Sequence, residues 1–147
     1  MGLIRRAVIA SQAPTTAIGL RGRGLAKNNP ELMARTIELS SGDPQAITAE
    51  TIFRAAAEGD KGALFIVREA TGWLARGLLA AIRILNPDRI ILGGGVALAG
   101  KHLLDPLHEH LEALNAPTLK YSTQIAVAEL GNYSPLYGAA ALGWELA

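Results

Sequence analysis

The chain of 147 residues has the length of one domain, and half of its residues are hydrophobic, which argues for a packed core and against a disordered chain. Charged residues make up 18% and the formal net charge is +1, so no nucleic-acid partner and no membrane partner are expected. The chain has no cysteine, which excludes disulfides and thiolate metal sites and fits a cytoplasmic protein, and no apolar run reaches the roughly 20 residues that cross a bilayer.

The first 29 residues lack a clear hydrophobic period. Residues 3–10 are compatible with a short strand, but one proline and three glycines are expected to break any longer element: Pro14, Gly19, Gly22 and Gly24. The sequence therefore predicts an irregular N-terminal segment over residues 1–29, followed by an ordered lobe over residues 30–147.

Three helices are predicted in the next part of the chain. Residues 30–39 form the first, and Thr48 is the expected N-cap of the second. The third is the clearest, because apolar residues recur at three- and four-residue steps between Asp60, its expected cap, and Asn86-Pro87, which should stop it.

Strands and helices alternate after this point. In chain order the sequence predicts a strand at residues 89–92, a helix at 101–115, a strand at 125–130 and a last helix at 136–146 that begins at Ser134-Pro135. Within the helix at 101–115, Pro106 fits only near the first turn. The order of elements predicts an α/β fold with a short parallel or mixed sheet covered by helices.

The most informative candidate site is Gly93-Gly94-Gly95, directly after the first of these two strands. Ligands of α/β sheets gather at the carboxyl ends of strands, and glycine lets a flat ligand approach the backbone closely. The triplet lacks the spaced glycines and the Lys-Ser/Thr of a Walker loop. Taken alone, the triplet fits a structural turn better than a ligand site. The neighbouring residues are therefore needed to distinguish the two.

The residues around the triplet resemble the ROK family of sugar kinases and repressors in their order and spacing. Residues 85–96 read Leu-Asn-Pro-Asp-Arg-Ile-Ile-Leu-Gly-Gly-Gly-Val, which is similar to the family's asparagine-proline, apolar strand and glycines. Further stretches resemble the family upstream and downstream, at residues 43–48, 56–60, 130–132 and 136–142. The resemblance runs from about Ala26 to the end of the chain, and its specificity lies in the order of the motifs together.

This resemblance implies the C-terminal part of an actin-like, ribonuclease-H-like ATPase fold. It also implies ATP-dependent phosphorylation of a sugar such as glucose, with ATP and Mg²⁺ serving the complete enzyme. On the matching positions of this sequence, Gly93, Gly94 and Gly95 would face the adenosine, and Gly131 and Asn132 would lie near the same cleft.

Several motifs of the same family do not occur in the chain. It has no Asp-x-Gly-Gly-Thr phosphate loop, no Asn-Asp pair to supply a general base, no Glu-x-Gly-His sugar-binding segment and, without cysteine, no zinc cluster. Phosphoryl transfer needs positioned phosphate oxygens, a metal ion and an oriented nucleophile. We therefore expect no catalytic residue here, only the base end of a nucleotide site, in a fragment that does not phosphorylate sugar by itself.

The remaining candidates have simpler explanations. His108 and His110 point to different sides of a helix, and His102 is two turns away from His110, so surface positions are expected rather than a metal site. Trp73 and Trp144 are expected in a core or an interface. Caps and turns account for the aspartates beside Gly or Pro, which are Asp43, Asp60, Asp88 and Asp105.

Three interpretations stay open. The chain is the nucleotide-side half of a ROK-type sugar kinase, the C-terminal sugar-sensing half of a ROK repressor, or a non-catalytic dimerisation module. In the third, the long helix with Gly72 and Gly77 would form a homo-oligomer interface or pack against a missing N-terminal lobe. Without that lobe, exposed apolar faces are expected to drive self-association.

Overall fold

The computed structural model describes residues 6–10, 13–93, 99–114 and 123–128. Two short 3-10 helices lie in these ranges, at Pro30–Met33 and Pro44–Ala46. In chain order, the described strands and α-helices are β1 (Arg6–Ala10), α1 (Ala13–Asn28), α2 (Ala34–Leu39), α3 (Ala49–Ala57), α4 (Lys61–Leu85), β2 (Arg89–Gly93), α5 (Lys101–Leu114) and β3 (Gln124–Val127).

The three strands form one parallel sheet in the order β1-β2-β3. Ile90 of β2 lies beside Ala7 of β1 and Ile125 of β3, and the register continues along the strands. Parallel neighbours need crossover connections, which α1 to α4 supply between β1 and β2, and α5 between β2 and β3. The predicted α/β class, with a short sheet covered by helices, is confirmed.

One hydrophobic core joins the sheet to the helices. On β2, Ile90 and Leu92 are 0% and 4% exposed and alternate with the half-buried Ile91, so one face of the sheet lies against the helical layer. The helix α4 is central to that layer, because it contacts α1, α3 and α5. The buried face of β2 therefore shares one core with α4 and its neighbouring helices.

The expectation of an irregular N-terminal segment is wrong for residues 13–28, which form α1, whereas β1 at residues 6–10 lies within the stretch that was compatible with a short strand. Glycine costs a helix up to ~1 kcal/mol relative to alanine, and this cost suggested a break. Packing outweighs the cost at Gly22, where a Cβ would lie 2.5 Å from Ile52 and 2.9 Å from Ile47, both fully buried. The missing side chain lets α1 approach α3, and α1 joins the main core.

The ends of the helices follow the predicted caps. Thr48 accepts a hydrogen bond from the Thr51 amide and its own amide donates to Thr51 Oγ1, which makes a capping box before α3. Asp60 caps α4 by accepting from a backbone amide at 2.8 Å. Asn86 ends α4 in the left-handed conformation, with a φ of 43°. All three boundaries are confirmed.

The second half of the chain departs from prediction at one position. Pro106 lies inside α5, past its first turn, where it removes the backbone hydrogen bond to the residue four positions earlier. The predicted extension of β3 to residue 130 and the helix at 136–146 lie outside the described residues. Across the parts of the chain that the structure describes, no helix has the length and hydropathy needed to cross a bilayer.

Candidate functional site

Hydrogen bonds at both ends fix the alignment of β2 with β3. Before the strands, Thr123 Oγ1 donates to the Pro87 carbonyl at 2.7 Å. After them, the Ala128 amide donates to the Leu92 carbonyl at 2.8 Å. The two strands are therefore held in one register, and they end together at the same edge of the sheet.

Gly93 lies at this edge, where the carboxyl ends of the three strands meet. β1 ends beside it at Ala10, and β3 leads into Ala128 on the other side. Gly93 is buried, and among the described atoms a Cβ built on it would meet Ala128 alone, at 3.9 Å. Contacts within the described residues therefore do not require glycine here.

The other predicted site residues, Gly94, Gly95, Gly131 and Asn132, lie outside the described residues. The helix α5 follows Gly93 in sequence and leads the chain back to the start of β3. Its N-terminus, the positive end of the helix dipole, is therefore directed toward the same edge. What the structure brings to the candidate site is the end of β2, the end of β3 and the start of a helix.

The three histidines differ in their surroundings. His102 and His108 are exposed, whereas His110 is partly buried with Nε2 3.0 Å from the Arg68 carbonyl oxygen. The His110 ring lies over Gly72, where an added Cβ would come within 3.5 Å of it. His110 thus serves the packing of α5 on α4. Within the described ranges, no three His, Asp or Glu side chains are grouped so that they could hold a metal ion.

Asp60 has a second role that sequence reasoning missed. One carboxylate oxygen caps α4 at the Ala63 amide, 2.8 Å away, and the other accepts from the Thr36 amide at 3.0 Å. Asp60 is 7% exposed, so a buried carboxylate joins the start of α4 to α2. The cap has a local signal in the sequence, but a partner 24 positions earlier has none. Asp43 makes the single cap expected of it, to the Gln45 amide.

A cavity of about 520 Å³ opens beside this carboxylate, with Leu32 and Arg35 on one side and Glu58 and Lys61 on the other. Arg35 Nη1 is 2.6 Å from Glu38, and the Arg35 guanidinium also binds Glu58. These hydrogen bonds, Glu38 first and then Glu58, raise the pKa of Arg35 above its usual value. Because two carboxylates already share this guanidinium, the cavity does not present Arg35 to an anionic ligand.

Trp73 is not a core residue of the described chain. It is 66% exposed on α4, and the Arg76 guanidinium lies 4.7 Å from the centre of its ring. Of the two predicted roles, core is wrong for Trp73, and interface stays a prediction. Trp144 lies outside the described residues.

The sheet, its helical layer and the glycine at the carboxyl edge define the C-terminal part of an actin-like ATPase fold. The chain belongs to the ROK family, whose sequence profile matches residues 21–145. The glucokinase of Halalkalibacterium halodurans is 35% identical over 98 residues, which cover 67% of this chain and 29% of that protein. The glucokinase of Thermotoga maritima is 32% identical over 102 residues, which cover 69% of this chain and 32% of that protein.

The likeness extends to three dimensions. A ROK family glucokinase from Streptomyces griseus, solved in complex with glucose and AMPPNP, matches with a TM-score of 0.80 at 29% identity, over 86% of this chain and 41% of that chain. The predicted family resemblance and fold are confirmed. The chain spans about a third of the length of the curated relatives that it matches.

Proposed function

We propose that this chain is the nucleotide-side lobe of an ATP-dependent sugar kinase and that it binds the adenosine part of ATP at the carboxyl edge of its sheet. The observation that supports the proposal is the position of Gly93, at the shared carboxyl end of three parallel strands, where the described neighbours do not require a glycine. The Streptomyces griseus relative, solved with glucose and AMPPNP, supports ATP and a glucose-type sugar as ligands of the complete enzyme.

The glycines after β2 form the adenosine surface in this proposal. Gly93, Gly94 and Gly95 offer backbone instead of side chains to the flat base, which can then approach closely. Gly131 and Asn132 line the same cleft from the segment after β3.

In this proposal the chain binds the nucleotide, and a different polypeptide segment provides the groups that bind the sugar and transfer the phosphoryl group. In the complete enzyme, ATP provides the phosphoryl group and Mg²⁺ neutralises charge on its phosphates. We assign the phosphate loop, the general base, the zinc cluster and the sugar contacts to that other polypeptide, since their sequence motifs do not occur here. The chain covers 41% of the Streptomyces griseus structure, which supports this division.

We place this lobe at residues 30–147, with residues 1–29 as an N-terminal segment of which β1 and α1 pack onto it. The cytoplasm, where ATP is made and used, is its proposed location. A sugar is the proposed substrate of the completed enzyme.

Nucleotide binding tests the proposal directly. Saturation-transfer NMR is expected to detect weak ATP binding that adenosine displaces and pyrophosphate does not, because the phosphate partners are missing. Calorimetry is expected to detect no micromolar affinity for ATP. Gly93→Val should abolish the signal, because a branched side chain would keep the flat base away from the backbone, whereas Ala57→Val, exposed at the end of α3, should leave it unchanged. Displacement by pyrophosphate, or a signal that survives Gly93→Val, contradicts the assignment.

Sugar phosphorylation tests the division of labour. The purified chain is expected to form no glucose 6-phosphate from glucose and ATP above a blank preparation. Glucose 6-phosphate formation by the pure chain would refute the assignment of the phosphate loop and the general base to other polypeptide.

Self-association is a second candidate role, favoured by the exposure of Trp73 and Ile84 on α4, at 66% and 80%. Large apolar side chains exposed on a long helix mark an interaction surface. Sedimentation is expected to show that the isolated chain is not a simple monomer. A stable monomer with a cooperative melt at all concentrations contradicts this role.

A further inference from the structure

The strand β1 differs from the rest of the described sheet in how it is held. It pairs with β2 over five positions in parallel register, from Arg6 beside Arg89 to Ala10 beside Gly93. Among the described elements, β2 is the one that β1 contacts extensively, and no described helix packs on β1 to a comparable degree. The match to the ROK family profile begins at residue 21, so β1 is the one described strand that this match does not include.

The two neighbours of β2 differ in what stands beside its first residue. On the β3 side, Arg89 Nη2 donates to Gln124 Oε1 at 2.7 Å. On the β1 side, the register places Arg6 at the position paired with Arg89. Like charges at paired positions of neighbouring strands repel, so the first of the five pairs opposes the contact between β1 and β2. These differences make β1 the neighbour of β2 that is easier to displace.

We propose that the edge of β2 that faces β1 is the docking site for an extended apolar strand of the polypeptide that completes the enzyme, and that β1 holds this site until that strand displaces it. The inference rests on the proposed function, in which a different polypeptide segment binds the sugar and transfers the phosphoryl group. The chain covers 41% of the Streptomyces griseus structure, which leaves more than half of such an enzyme to the partner. An added strand joins two polypeptides through main-chain hydrogen bonds along a sheet edge.

The backbone groups that would receive the strand follow from the pairing with β3. The carbonyls of Asp88 and Leu92 accept hydrogen bonds from β3, so the alternate residues of β2, Ile91 and Gly93, face β1. The docking edge therefore offers the amides and carbonyls of these alternate residues.

The same alternation decides which amides of the docked strand matter. Ile91 is paired with Val8, so in parallel pairing it bonds to the residues on either side of Val8, which are Ala7 and Ile9. The Ile9 amide is thus directed to β2, whereas the Val8 amide is directed away from it. A strand that replaces β1 must keep the amide at the position of Ile9 free to donate.

The residues of β2 also define the sequence of a strand that fits. Ile90 and Leu92 are buried and Ile91 is half-buried, so apolar residues suit the three paired positions beside them. Beside Arg89, an acidic residue would replace the repulsion from Arg6 with attraction. A strand with one acidic residue followed by three apolar residues therefore fits this edge better than β1 itself.

Strand exchange on the full chain is the first test, with a fluorescent peptide of the sequence of residues 6–12 as the probe. Fluorescence anisotropy is expected to show saturable binding, because the peptide takes the place of β1. A peptide carrying Arg6→Glu should bind at least about threefold more tightly, since it is attracted to Arg89. N-methylation of the Ile9 amide should weaken binding at least about tenfold, whereas N-methylation of the Val8 amide should not. A peptide that does not bind, or an equal loss from both methylated peptides, overturns the proposal.

A disulfide between β1 and β2 gives a control within one chain. The chain has no cysteine, and the paired positions of Arg6 and Arg89 lie on neighbouring strands. Neighbouring strands are roughly 4.8 Å apart, which is within the Cα separation that a disulfide spans. The double variant Arg6→Cys, Arg89→Cys should bind the peptide when reduced and lose at least about tenfold in affinity when oxidised, because β1 can then no longer leave β2. Equal binding by the two forms means that the peptide binds elsewhere, and the proposal fails.

Peptide binding and its loss on oxidation are measured without ATP. The readouts of the kinase proposal are nucleotide binding and sugar phosphorylation. A chain that binds ATP but not the peptide refutes the docking strand alone, and a chain that exchanges strands but binds no ATP refutes the nucleotide site alone.

Discussion

Two helical glycines show how one kind of residue acts in opposite ways. Gly62 is buried at the start of α4, and a Cβ there would collide with Met33 Sδ and lie 2.8 Å from the Leu32 carbonyl oxygen. Gly24 is exposed on α1, with no described atom within 4 Å of an added Cβ. The first glycine allows two backbones to meet, and the second only weakens its helix.

Substitution of these two glycines should therefore change stability in opposite directions. Gly62→Ala is expected to lower the free energy of unfolding by about 1–3 kcal/mol, because a backbone carbonyl cannot easily move aside. Gly24→Ala is expected to raise it by up to ~1 kcal/mol through helix propensity. Urea denaturation measures both, and a stabilising Gly62→Ala would contradict the close approach.

Asp60 should contribute more to stability than an ordinary cap. Asp60→Ala removes the acceptor of both the Thr36 and Ala63 amides in a buried place, so a loss of about 2–3 kcal/mol is expected. Asp43→Ala removes one exposed cap and should cost about 0.5–1 kcal/mol. Thermal unfolding of the two variants gives the comparison, and equal costs would mean that the bond to Thr36 contributes nothing.

Among the elements, α5 contains a residue that opposes its own helix. Pro106 lies past the first turn, where proline costs a helix about 3 kcal/mol relative to alanine. Pro106→Ala is expected to raise the free energy of unfolding by about 1–3 kcal/mol, measured by urea denaturation. Pro44→Ala is the control, because Pro44 starts a 3-10 helix at a favourable position and its loss should not stabilise the chain. A destabilising Pro106→Ala would indicate that the helix depends on the bend.

The sequence predicted the elements whose signals are local. The period of α4, the capping residue Thr48 and the stop at Asn86 each act within a few residues, and the structure places them as expected. The helix α1 was missed because its glycines look unfavourable until Ile47 and Ile52 are packed against Gly22. That packing joins distant parts of the chain, and no local pattern contains it.

At the scale of the whole molecule, the candidate site also combines a feature with a local sequence signal and features that depend on long-range packing. The strand ending at Gly93 has a local signal, an apolar run closed by glycines, and the structure places that residue at the carboxyl edge. The link from Asp60 to Thr36 and the exposure of Trp73 and Ile84 on α4 depend on how the helices pack. The sequence therefore located the edge of the sheet, but it did not show which residues of α4 are buried by distant partners.

β1 precedes the residues that match the ROK family profile, yet it pairs with β2 inside the sheet. Removal of residues 1–12 should leave one edge of β2 without a partner. The carbonyls of Asp88 and Leu92 accept hydrogen bonds from β3, so the alternate residues of β2, Ile91 and Gly93, face β1. We expect the amides of Ile91 and Gly93 to exchange with deuterium at least about tenfold faster, while that of Ile66 in α4 is unchanged, because regions of one fold open independently. Unchanged exchange in β2 would contradict the pairing.

The same pairing has a consequence for synthesis on the ribosome. Arg6 is paired with Arg89, about 80 residues later in the chain. At roughly 5–20 residues per second, the first strand leaves the exit tunnel on the order of 4–16 s before its neighbour exists. The helices make contacts that are nearer in sequence, so they have time to fold first. During that time the Ala-Val-Ile-Ala stretch of β1 is an apolar segment without its partner strand. Chaperones that recognise extended apolar segments would meet β1 before β2 is synthesised.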